Sequence, residues 1–488
     1  MANPKIATQN GHTTPESDFT AIHRELNDSF ASGKTKSIQW RKWQLKQLWW
    51  MIEDNEREIH EALTSDLGRH EMENWATDFV GLKMDILDHI NNAERLAATT
   101  PVPGSGILGF VSRARIRREP RGIVLVIGAW NFPFVLTLSP LVAAIAAGCC
   151  VVIKPSELAT ASERTMTFLI PRYMDQSCIR LVTGGPEETT RFLEHKFDYI
   201  FFTGSTKIAR FVAAAAAKQL TPVTLELGGQ CPAIVTKTAD IELSVKRIAL
   251  VKFANAGQIC LTANHVLVDS AVHDAFVARL EHWTREFAHT GHICRIINQR
   301  NYDRLASLLD KSQGTIIRCG EAPPGDCRMA PVIITGVKPT DAIMSEELFG
   351  PICPVIACST DDAIAMTNSL PKPLALYIFS SDKKETEYIQ DRTISGGVTI
   401  NETLFHAGVP NAPFGGVGES GMGSYHGKYG FQAFTHPRVV AEPPTWLDRF
   451  MGFRYPPFDV KNKSMVAVSN KGKFRRGETL QDQKIGSG

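Results

Sequence analysis

The chain has 488 residues, of which 43% are hydrophobic and 21% charged, and its formal net charge is only +2. This composition is typical of a globular protein with a large core and excludes a mainly disordered or collagen-like chain. The near-balanced charge gives no electrostatic argument for nucleic acid as a partner. The length predicts roughly two to four domains or subdomains.

The N-terminal segment carries no secretion signal, because a basic start, an apolar stretch and a small-residue cleavage site do not occur together. We expect residues 1–30 to form a disordered polar leader and the protein to be cytoplasmic. The ten cysteines form no CxxC pair and no zinc-type Cys/His spacing. Free thiols in a reducing compartment, and no metal site, are therefore predicted.

Two segments near the N-terminus predict helices. Residues 37–67 mix aromatic and charged side chains at helical spacing, and residues 74–96 continue a similar pattern. Four tryptophans of the first segment are predicted to be packing anchors: Trp40, Trp43, Trp49 and Trp50. A Pro/Gly-rich connector follows near residue 104.

A charge-free stretch, residues 122–153, is longer than the roughly 20 residues that span a bilayer. Gly128, Asn131, Pro133 and Pro140 nevertheless divide it into a short strand, a turn, an Ala-rich helix and a second strand. Strands buried on both faces of a parallel sheet read as such apolar runs. The stretch therefore predicts a buried β-α-β unit and not a membrane span.

Strand-like and helix-like segments alternate beyond this unit. One series runs to the LELGG motif at residues 225–229, and a second runs from Ala233 to about Asn401. This repetition predicts an α/β fold with a Rossmann-like, doubly wound parallel sheet followed by a second α/β domain. Ligands of such sheets bind beyond the carboxyl ends of the strands.

Two motifs follow predicted strands of the first series. FFTGSTKIAR ends a strand at Gly204 and Ser205 and opens a helix, whose free N–H groups and positive dipole end suit a diphosphate. The same turn also needs glycine for steric reasons, so this stretch alone leaves both interpretations open. VIKPSE brings Lys154 and Glu157 to a strand end, where they address a ribose or simply begin a helix.

Two residues have the chemistry of catalytic groups. Glu226 lies between two leucines at the end of an apolar strand, so its carboxylate is either paired or functional, and burial would raise its pKa toward general-base range. Cys260 lies in NAGQICLTANH, a small and amide-rich segment. A cysteine nucleophile needs access and a lowered pKa, but counting alone does not single out this thiol from the ten.

Seven motifs taken together resemble the aldehyde dehydrogenase superfamily over residues 30–438. In chain order they are WNFP at Asn131, KPSE at Lys154, TGST at Gly204, LELGG at Glu226, GQIC at Cys260, EELFGP at Glu347 and PFGGVGESG at Gly415. Their joint order is more specific than any single motif. AAAKQLTPVTLELGG and GMGSYHGKYGFQAFTHPR further resemble the class 3, or fatty-aldehyde, branch.

The resemblance implies roles for nine residues. Cys260 would attack the aldehyde carbon, and its backbone N–H together with the Asn131 amide would stabilise the oxyanion. Glu226 would activate the water that hydrolyses the resulting thioester. NAD or NADP would be held by Lys154 and Glu157 at the adenosine ribose, Gly204 and Ser205 at the diphosphate, and Glu347 and Phe349 at the nicotinamide ribose and ring.

The resemblance also implies a homodimer and a domain division. After the leader come an NAD(P)-binding domain in residues 31–97 and 121–227, a catalytic domain in 228–407, a bridging, oligomerising region in 98–120 and 408–438, and a tail in 439–488. The tail contains no apolar span, so a transmembrane helix is not expected. Its aromatic and basic residues leave two interpretations open, a solvated tail or a peripheral contact with an intracellular membrane.

The predicted reaction is the NAD(P)-dependent oxidation of a hydrophobic aldehyde to its carboxylic acid. The aldehyde has a medium or long chain, an aromatic ring or an apocarotenoid skeleton.

Four residues depart from the family pattern, and they are Ala209, Gln230, Phe132 and Glu419. Ala209 stands where a second glycine is common, which leaves the choice between NAD and NADP open. An acylating aldehyde dehydrogenase and a catalytically silent NAD-binding structural protein are the alternatives. Glu226 argues against the first, and the intact set of Cys260, Glu226 and Asn131 argues against the second.

Overall fold

A computed structural model describes residues 13–323, 325–466 and 476–482 of the chain. These residues form two compact units. Unit 1 contains residues 13–98 and 118–437, and unit 2 contains residues 99–117 and the described residues from 438 onward. Both large sheets and all nine predicted site residues belong to unit 1.

Within the described part of unit 1, five α-helices and one π-helical turn precede the first sheet. They are α1 (Glu16–Ala31), α2 (Ile38–Asp54), α3 (Glu56–Leu67), α4 (Glu71–Asn74), the π-helical turn Trp75–Phe79, and α5 (Val80–Ala97). The predicted disordered leader is wrong for residues 16–30, which form α1. Phe19 and Leu26 of this helix are fully buried, and the Phe19 ring stacks on Phe192 at 4.3 Å. Residues 1–12 of the leader lie outside the described residues.

The amphipathic helices predicted for residues 37–67 are confirmed as α2 and α3. The Ser37 side chain caps α2 by accepting a hydrogen bond from the Trp40 N–H. Trp40 and Trp49 pack against the core as expected. The prediction is wrong for Trp43 and Trp50, whose side chains are more than half exposed.

The first sheet has six strands in the order β15-β7-β6-β3-β4-β5. They are β3 (Ile123–Ile127), β4 (Cys150–Lys154), β5 (Ile179–Leu181), β6 (Tyr199–Thr203), β7 (Val223–Glu226) and β15 (Gly421–Met422). The first five run parallel, and β15 is antiparallel to β7 with Gly421 opposite Glu226. Every residue of β3, β4 and β6 is buried, which explains the continuous apolar runs in the sequence.

Helices accompany the strands of this sheet. They are α7 (Val135–Ala147), α8 (Thr160–Tyr173), α9 (Pro186–Phe192), α10 (Thr206–Lys218) and, near the end of unit 1, α17 (Gly427–Ala433). The β-α-β unit predicted for residues 122–153 is confirmed as β3, α7 and β4. Residues 408–437, assigned to a bridging region from the sequence, lie in unit 1, where β15 extends the first sheet.

The second sheet has seven strands in the order β10-β11-β12-β9-β8-β13-β14. They are β8 (Pro232–Val235), β9 (His265–Asp269), β10 (Thr315–Arg318), β11 (Val332–Thr335), β12 (Ile352–Cys358), β13 (Ala375–Phe379) and β14 (Gly397–Ile400). Within the described chain, β10 pairs with β11 in the antiparallel direction, and the other neighbouring strands of this sheet pair in parallel. The accompanying helices are α11 (Ile241–Phe253), α12 (His273–His289), α13 (Gln299–Lys311), α14 (Thr360–Ser369), α15 (Lys383–Gln390) and α16 (Phe405–Gly408). The α/β fold with two largely parallel sheets is as the sequence predicts, whereas the assignment of each sheet to a functional domain stays a prediction.

Unit 2 is built on a small sheet with the strand order β1-β2-β16. It contains β1 (Thr100–Pro101), α6 (Gly106–Val111) and α18 (Lys463–Val466). It also contains residues 115–117 of β2 (Arg115–Pro120) and residues 438–440 of β16 (Thr435–Val440), and the other residues of these two strands belong to unit 1. An ion pair of 2.7 Å joins Arg115 to Glu442 within this unit. Across the described ranges, no helix combines the length and the apolar character needed to cross a membrane. The basic residues Lys471, Lys473 and Arg475 of the tail lie outside those ranges.

Candidate active site

Three of the predicted site residues lie at the carboxyl edge of the first sheet. Lys154 ends β4, Gly204 follows β6 and Glu226 ends β7. The Gly204 N–H donates to the Glu226 carbonyl at 3.0 Å, which ties two of these strand ends together. This is the edge at which ligands of an open parallel sheet bind.

The loop that carries Cys260 begins with a strained turn. Helix α11 ends at Phe253, and Asn255, Ala256 and Gly257 then follow with φ angles of 48°, 53° and 71°. The left-handed region is unfavourable for a residue with a Cβ, so contacts outside the turn must hold it. The helical conformation therefore does not continue past Phe253.

Asn131 is joined to this turn by reciprocal amide hydrogen bonds. Its Nδ2 donates to the Gln258 carbonyl at 3.0 Å, and the Nδ2 of Asn255 donates to the Asn131 carbonyl at 2.9 Å. Gln258 is itself fixed, because its Nε2 donates to the Arg295 carbonyl at 2.8 Å. The loop after β3 and the Cys260 loop are thus brought together, as the sequence predicts.

The surroundings of the Cys260 thiol keep it protonated. The residue is half-buried and free of any disulfide. Burial, followed by the neighbouring acidic groups Glu347, Cys231 and Glu226, raises the pKa of the thiol above its ordinary value. A cysteine nucleophile needs a lowered pKa, whereas the pKa of Cys260 is raised in this structure. Attack by this sulfur therefore requires that a base or solvent remove its proton.

A second thiol supports the Cys260 backbone and was not singled out from the sequence. The Sγ of Cys231 donates to the Cys260 carbonyl at 3.4 Å and accepts from the Ala375 N–H at 3.3 Å. Burial raises the pKa of Cys231 to about 12, so this thiol is inert and acts as a packing group.

Glu226 is a buried carboxyl group without a partner. Neither side-chain oxygen finds a hydrogen bond within the described part of the chain, and burial raises its pKa well above the ordinary value. The raised pKa predicted from the sequence is confirmed. A Cβ placed on Gly415 would lie 3.2 Å from Oε1, so the PFGG motif closes over this carboxyl group. Such an unpaired group is typical of a functional site, since an isolated buried charge is otherwise costly.

Glu347 and Phe349 bring the EELFGP motif against the other two loops. A Cβ placed on Gly228 would lie 2.4 and 2.8 Å from the two Glu347 oxygens, so this carboxyl group lies against the LELGG turn. Burial raises the pKa of Glu347 to about 7, opposed by the Gly229 N–H and nearby cations. The Phe349 ring meets Trp130 edge to face at 5.3 Å.

The remaining predicted cofactor residues form a polar edge beside these loops. The buried ammonium of Lys154 donates to Glu157 at 3.0 Å, and about a third of the Glu157 side chain is exposed. Ser205 caps α10 by accepting from the Ile208 N–H at 3.4 Å. A Cβ on Gly204 would lie 2.6 Å from the Phe202 ring, so the strand-to-helix turn needs glycine. An ammonium beside a carboxylate, a helix N-terminus and a buried carboxyl group fit a dinucleotide.

Lys252 and His265 lie behind this site and were missed from the sequence. Lys252 is fully buried, and in the described ranges its ammonium has no hydrogen-bond partner. Burial lowers the pKa of Lys252 to about 8, although Cys353, Glu347 and Cys231 act in the opposite direction. Burial and the Lys252 charge lower the pKa of His265 to about 3, so its ring is neutral. Lys252 interrupts the apolar stretch of α11, and this feature of the sequence could have indicated a buried lysine.

The four departures from the family pattern have ordinary contacts. Gln230 donates to the Met344 carbonyl at 2.9 Å, and Phe132 lies under the Arg69 guanidinium at 5.1 Å. The Glu419 carbonyl accepts from Thr206 at 3.0 Å. Ala209 is buried in α10. None of these residues disrupts the turn that carries Cys260.

A doubly wound sheet with an amide, a thiol and an unpaired carboxyl group gathered beside a dinucleotide-type edge defines an oxidoreductase of the NAD(P)-dependent class. A profile of the aldehyde dehydrogenase family matches residues 6–440, and the chain belongs to that family. Enzyme class and a cofactor of the NAD or NADP type are thereby confirmed at the level of the family.

Two relatives and one solved structure are similar to this chain over most of its length. Beta-apo-4'-carotenal oxygenase of Neurospora crassa is 40% identical over 466 residues, which cover 94% of this chain and 87% of the relative. Aldehyde dehydrogenase family 3 member A2 of Rattus norvegicus is 39% identical over 440 residues, covering 89% and 90%. The substrate-bound structure of Staphylococcus aureus AldH has a TM-score of 0.88 at 39% identity and covers 92% of this chain and 98% of its own. The resemblance to the class 3 branch is confirmed.

Proposed function

We propose that this protein oxidises a hydrophobic aldehyde to its carboxylic acid, with Cys260 as nucleophile and NAD or NADP as cofactor. The observation that carries the proposal is the meeting of three loops: reciprocal amide hydrogen bonds join Asn131 to the turn before Cys260, while the unpaired Glu226 carboxyl group is near enough for its charge to act on the thiol. One nucleophile, one amide donor and one base thus share one site.

In the first half of the reaction, the Cys260 thiol gives its proton to solvent, and its sulfur forms a bond to the aldehyde carbon. The carbonyl electron pair moves to oxygen, and the Asn131 amide and the Cys260 N–H would donate hydrogen bonds to the resulting oxyanion. A bound NAD or NADP would supply a hydride acceptor for this carbon. A thioester on Cys260 remains.

In the second half, Glu226 takes a proton from water and the hydroxide adds to the thioester carbon. The carbon–sulfur bond then breaks, which releases the acid and returns the thiolate. A pKa raised by burial makes Glu226 a stronger base than an exposed carboxylate. An acylating enzyme has no need of this group, so Glu226 disfavours that alternative.

Six residues are proposed to bind the dinucleotide. Lys154 and Glu157 address the adenosine ribose, Gly204 and Ser205 the diphosphate, and Glu347 and Phe349 the nicotinamide half. The pairing of Lys154 with Glu157 and the helix N-terminus at Ser205 support these roles. The similarity to a carotenal oxygenase supports a long, apolar aldehyde as substrate.

A homodimer is also proposed, formed through the bridging segments. Within the described chain, β16 lies at the edge of the small sheet, and an edge strand offers unpaired backbone groups to a second copy. A peripheral membrane contact through the tail is the other proposed interaction, supported by exposed aromatic side chains at Trp446, Phe450 and Phe458.

The reaction is tested by following formation of reduced nicotinamide with a panel of aliphatic, aromatic and apocarotenoid aldehydes and both cofactors. Cys260→Ala is expected to abolish turnover, and Glu226→Gln to give one burst of product and then stall at the thioester. Cys358→Ala, which removes another half-buried thiol, is the matched control and retains activity. The proposal fails if a folded, cofactor-binding protein oxidises none of the aldehydes, or if coenzyme A is required and acyl-coenzyme A is the product.

A further inference from the structure

We propose that Glu73 is a positioning residue that holds the left-handed turn before Cys260 and so aligns both oxyanion donors. The inference rests on the proposed function. Glu73 lies in α4, in a part of the chain that the sequence motifs do not include. Its hydrogen bonds in the described chain go to Asn255 and Cys294, so it acts on Cys260 and Asn131 through Asn255.

Both oxygens of the Glu73 carboxylate are engaged. Oε1 accepts the Asn255 backbone N–H at 2.5 Å, and Oε2 accepts from the Cys294 thiol at 3.3 Å. A hydrogen bond from a backbone N–H to a carboxylate is charge-assisted and stronger than one between neutral groups. The contact therefore anchors the first residue of the strained turn.

The turn needs such an anchor, because three successive residues adopt the left-handed conformation. Its far end is confined by backbone: a Cβ on Gly257 would lie 2.2 Å from the Gly350 carbonyl and 2.9 Å from the Lys252 carbonyl. Its near end is held at the Asn255 N–H by Glu73. Release of that N–H allows Asn255 and Ala256 to relax toward ordinary helical angles, which moves the residues that follow.

Asn255 transmits the constraint to both donors. While its backbone N–H is held by Glu73, its side-chain Nδ2 donates to the Asn131 carbonyl at 2.9 Å and to the Gln258 carbonyl at 3.3 Å. Gln258 also accepts from the Asn131 amide and lies two residues before Cys260. A shift of Asn255 therefore displaces the amide donor and the nucleophile together.

The same segment anchors the Asn131 side of the site through Asp78. Its Oδ1 accepts the N–H groups of Phe134 and Val135 at 3.2 and 3.1 Å, and its Oδ2 pairs with Arg69 at 2.7 Å. Asp78 is thus fixed where the loop after β3 enters α7. Glu73 and Asp78 together connect this segment to both halves of the site.

The π-helical turn explains how one short segment reaches both loops. Residues five apart in an α-helix are rotated by about 140° from each other. Glu73 and Asp78 are five apart, and the Val80 N–H donates to the Trp75 carbonyl in the wider π pattern. The wider turn reduces that rotation, so both carboxylates reach the same side of the segment. Single π turns of this kind are frequent at functional sites.

The test compares Glu73→Ala, Glu73→Gln and the matched control Glu71→Ala, which removes an exposed carboxylate from the same helix. Glu73→Ala is expected to lower kcat about 100-fold, the loss associated with a misplacement of about 1 Å. The KM of the cofactor stays within about twofold. Glu73→Gln keeps an acceptor for the Asn255 N–H and recovers kcat to within about tenfold, because the neutral bond is about half as strong. The kcat of Glu71→Ala and its KM for the cofactor are expected to equal those of the parent protein.

Two readouts do not depend on turnover. Hydrogen–deuterium exchange of a peptide covering residues 253–262 is expected to quicken in Glu73→Ala and to remain slow in Glu71→Ala. Alkylation of Cys260 by iodoacetamide, followed by intact mass against a Cys260→Ser blank, is expected to quicken in the same variant. Exchange and alkylation can both be measured even if the parent protein oxidises no aldehyde. In that case the proposed function fails, and the positioning role of Glu73 is still tested.

The inference is overturned if folded Glu73→Ala keeps kcat within twofold of the parent chain. It is also overturned if exchange quickens over the whole chain and Glu73→Gln rescues nothing, since Glu73 then serves only global stability. A loss of kcat without faster exchange in residues 253–262 equally contradicts it.

Discussion

Replacement of Gly228 by alanine tests whether Glu347 binds the cofactor. Gly228 lies in the LELGG turn and has a backbone conformation outside the left-handed region, so an alanine introduces a Cβ without backbone strain. That Cβ would lie 2.4 Å from Oε1 and 2.8 Å from Oε2 of Glu347. The substitution therefore moves one carboxyl group and leaves Cys260 and Glu226 unchanged.

The size of the effect follows from the distance that the carboxylate must move. Ordinary contact with a Cβ begins at 3.4 Å, so Oε1 retreats by about 1 Å. A displacement of this size breaks a hydrogen bond to the ribose, and hydrogen bonds to charged groups contribute about 1.5–3 kcal/mol. The KM of the cofactor is expected to rise about 10- to 150-fold.

The assay is a double-mutant cycle with Gly228→Ala, Glu347→Gln and the combined variant. KM and kcat are measured for NAD and NADP, and the dissociation constant of the cofactor is measured directly. If Gly228→Ala acts through Glu347, the combined variant binds no more weakly than Glu347→Gln alone. Gly81→Ala is the control, because no atom lies within 4 Å of the Cβ that it adds.

Two results would refute this reasoning. The first is that Gly228→Ala has the same unfolding temperature as the parent protein and binds the cofactor with unchanged affinity. The second is full additivity in the cycle, which means that the two substitutions act through separate contacts. The first result removes Glu347 from the cofactor site, and the second shows that Gly228→Ala does not act through Glu347.

Two further predictions concern pH and the membrane. Because burial raises the pKa of Glu347 to about 7, its carboxyl group is protonated below that pH and ionised above it, so the KM of the cofactor is expected to fall as pH rises through about 7. Glu347→Gln flattens this dependence, and the same slope in that variant contradicts the assignment. For the tail, Trp446, Phe450 and Phe458 are 59%, 72% and 76% exposed, and their joint replacement by alanine is expected to abolish sedimentation with phosphatidylserine-containing vesicles. Sedimentation at the parent level would exclude the tail as the contact.

The first sheet could be predicted because its signal is local. The run from residue 122 to 153 contains both strands and the helix of one β-α-β unit, and parallel pairing buries both strands completely and most of the helix. The motif residues at strand ends then converge on one edge, as they must in a parallel sheet. Lys154, Gly204 and Glu226 were accessible to sequence reasoning for this reason.

The supports of the site could not be predicted, since they depend on contacts between distant parts of the chain. Nothing near Asn255 indicates that it leaves the helical region, because the apolar pattern of α11 continues into it. The anchor is Glu73, 182 residues away in sequence. The pKa of Cys260 could not be predicted for the same reason, since burial and carboxyl groups from distant parts of the chain raise it. The disordered leader was likewise assigned from polar composition, whereas Phe19 and Leu26 are spaced to lie on one face of α1.

The pairing of β15 with β7 has a consequence for biosynthesis. Glu226 and Gly421 lie opposite each other, although almost two hundred residues separate them. A ribosome releases the five parallel strands of the first sheet long before it makes β15, so a nascent chain carries that sheet with one edge open while the second sheet is still being translated. The strand that covers Glu226 pairs only after that long loop has closed, which is a slow step in folding. A protein truncated before residue 421 therefore retains every group proposed for catalysis but leaves the edge of β7 at Glu226 without its antiparallel partner.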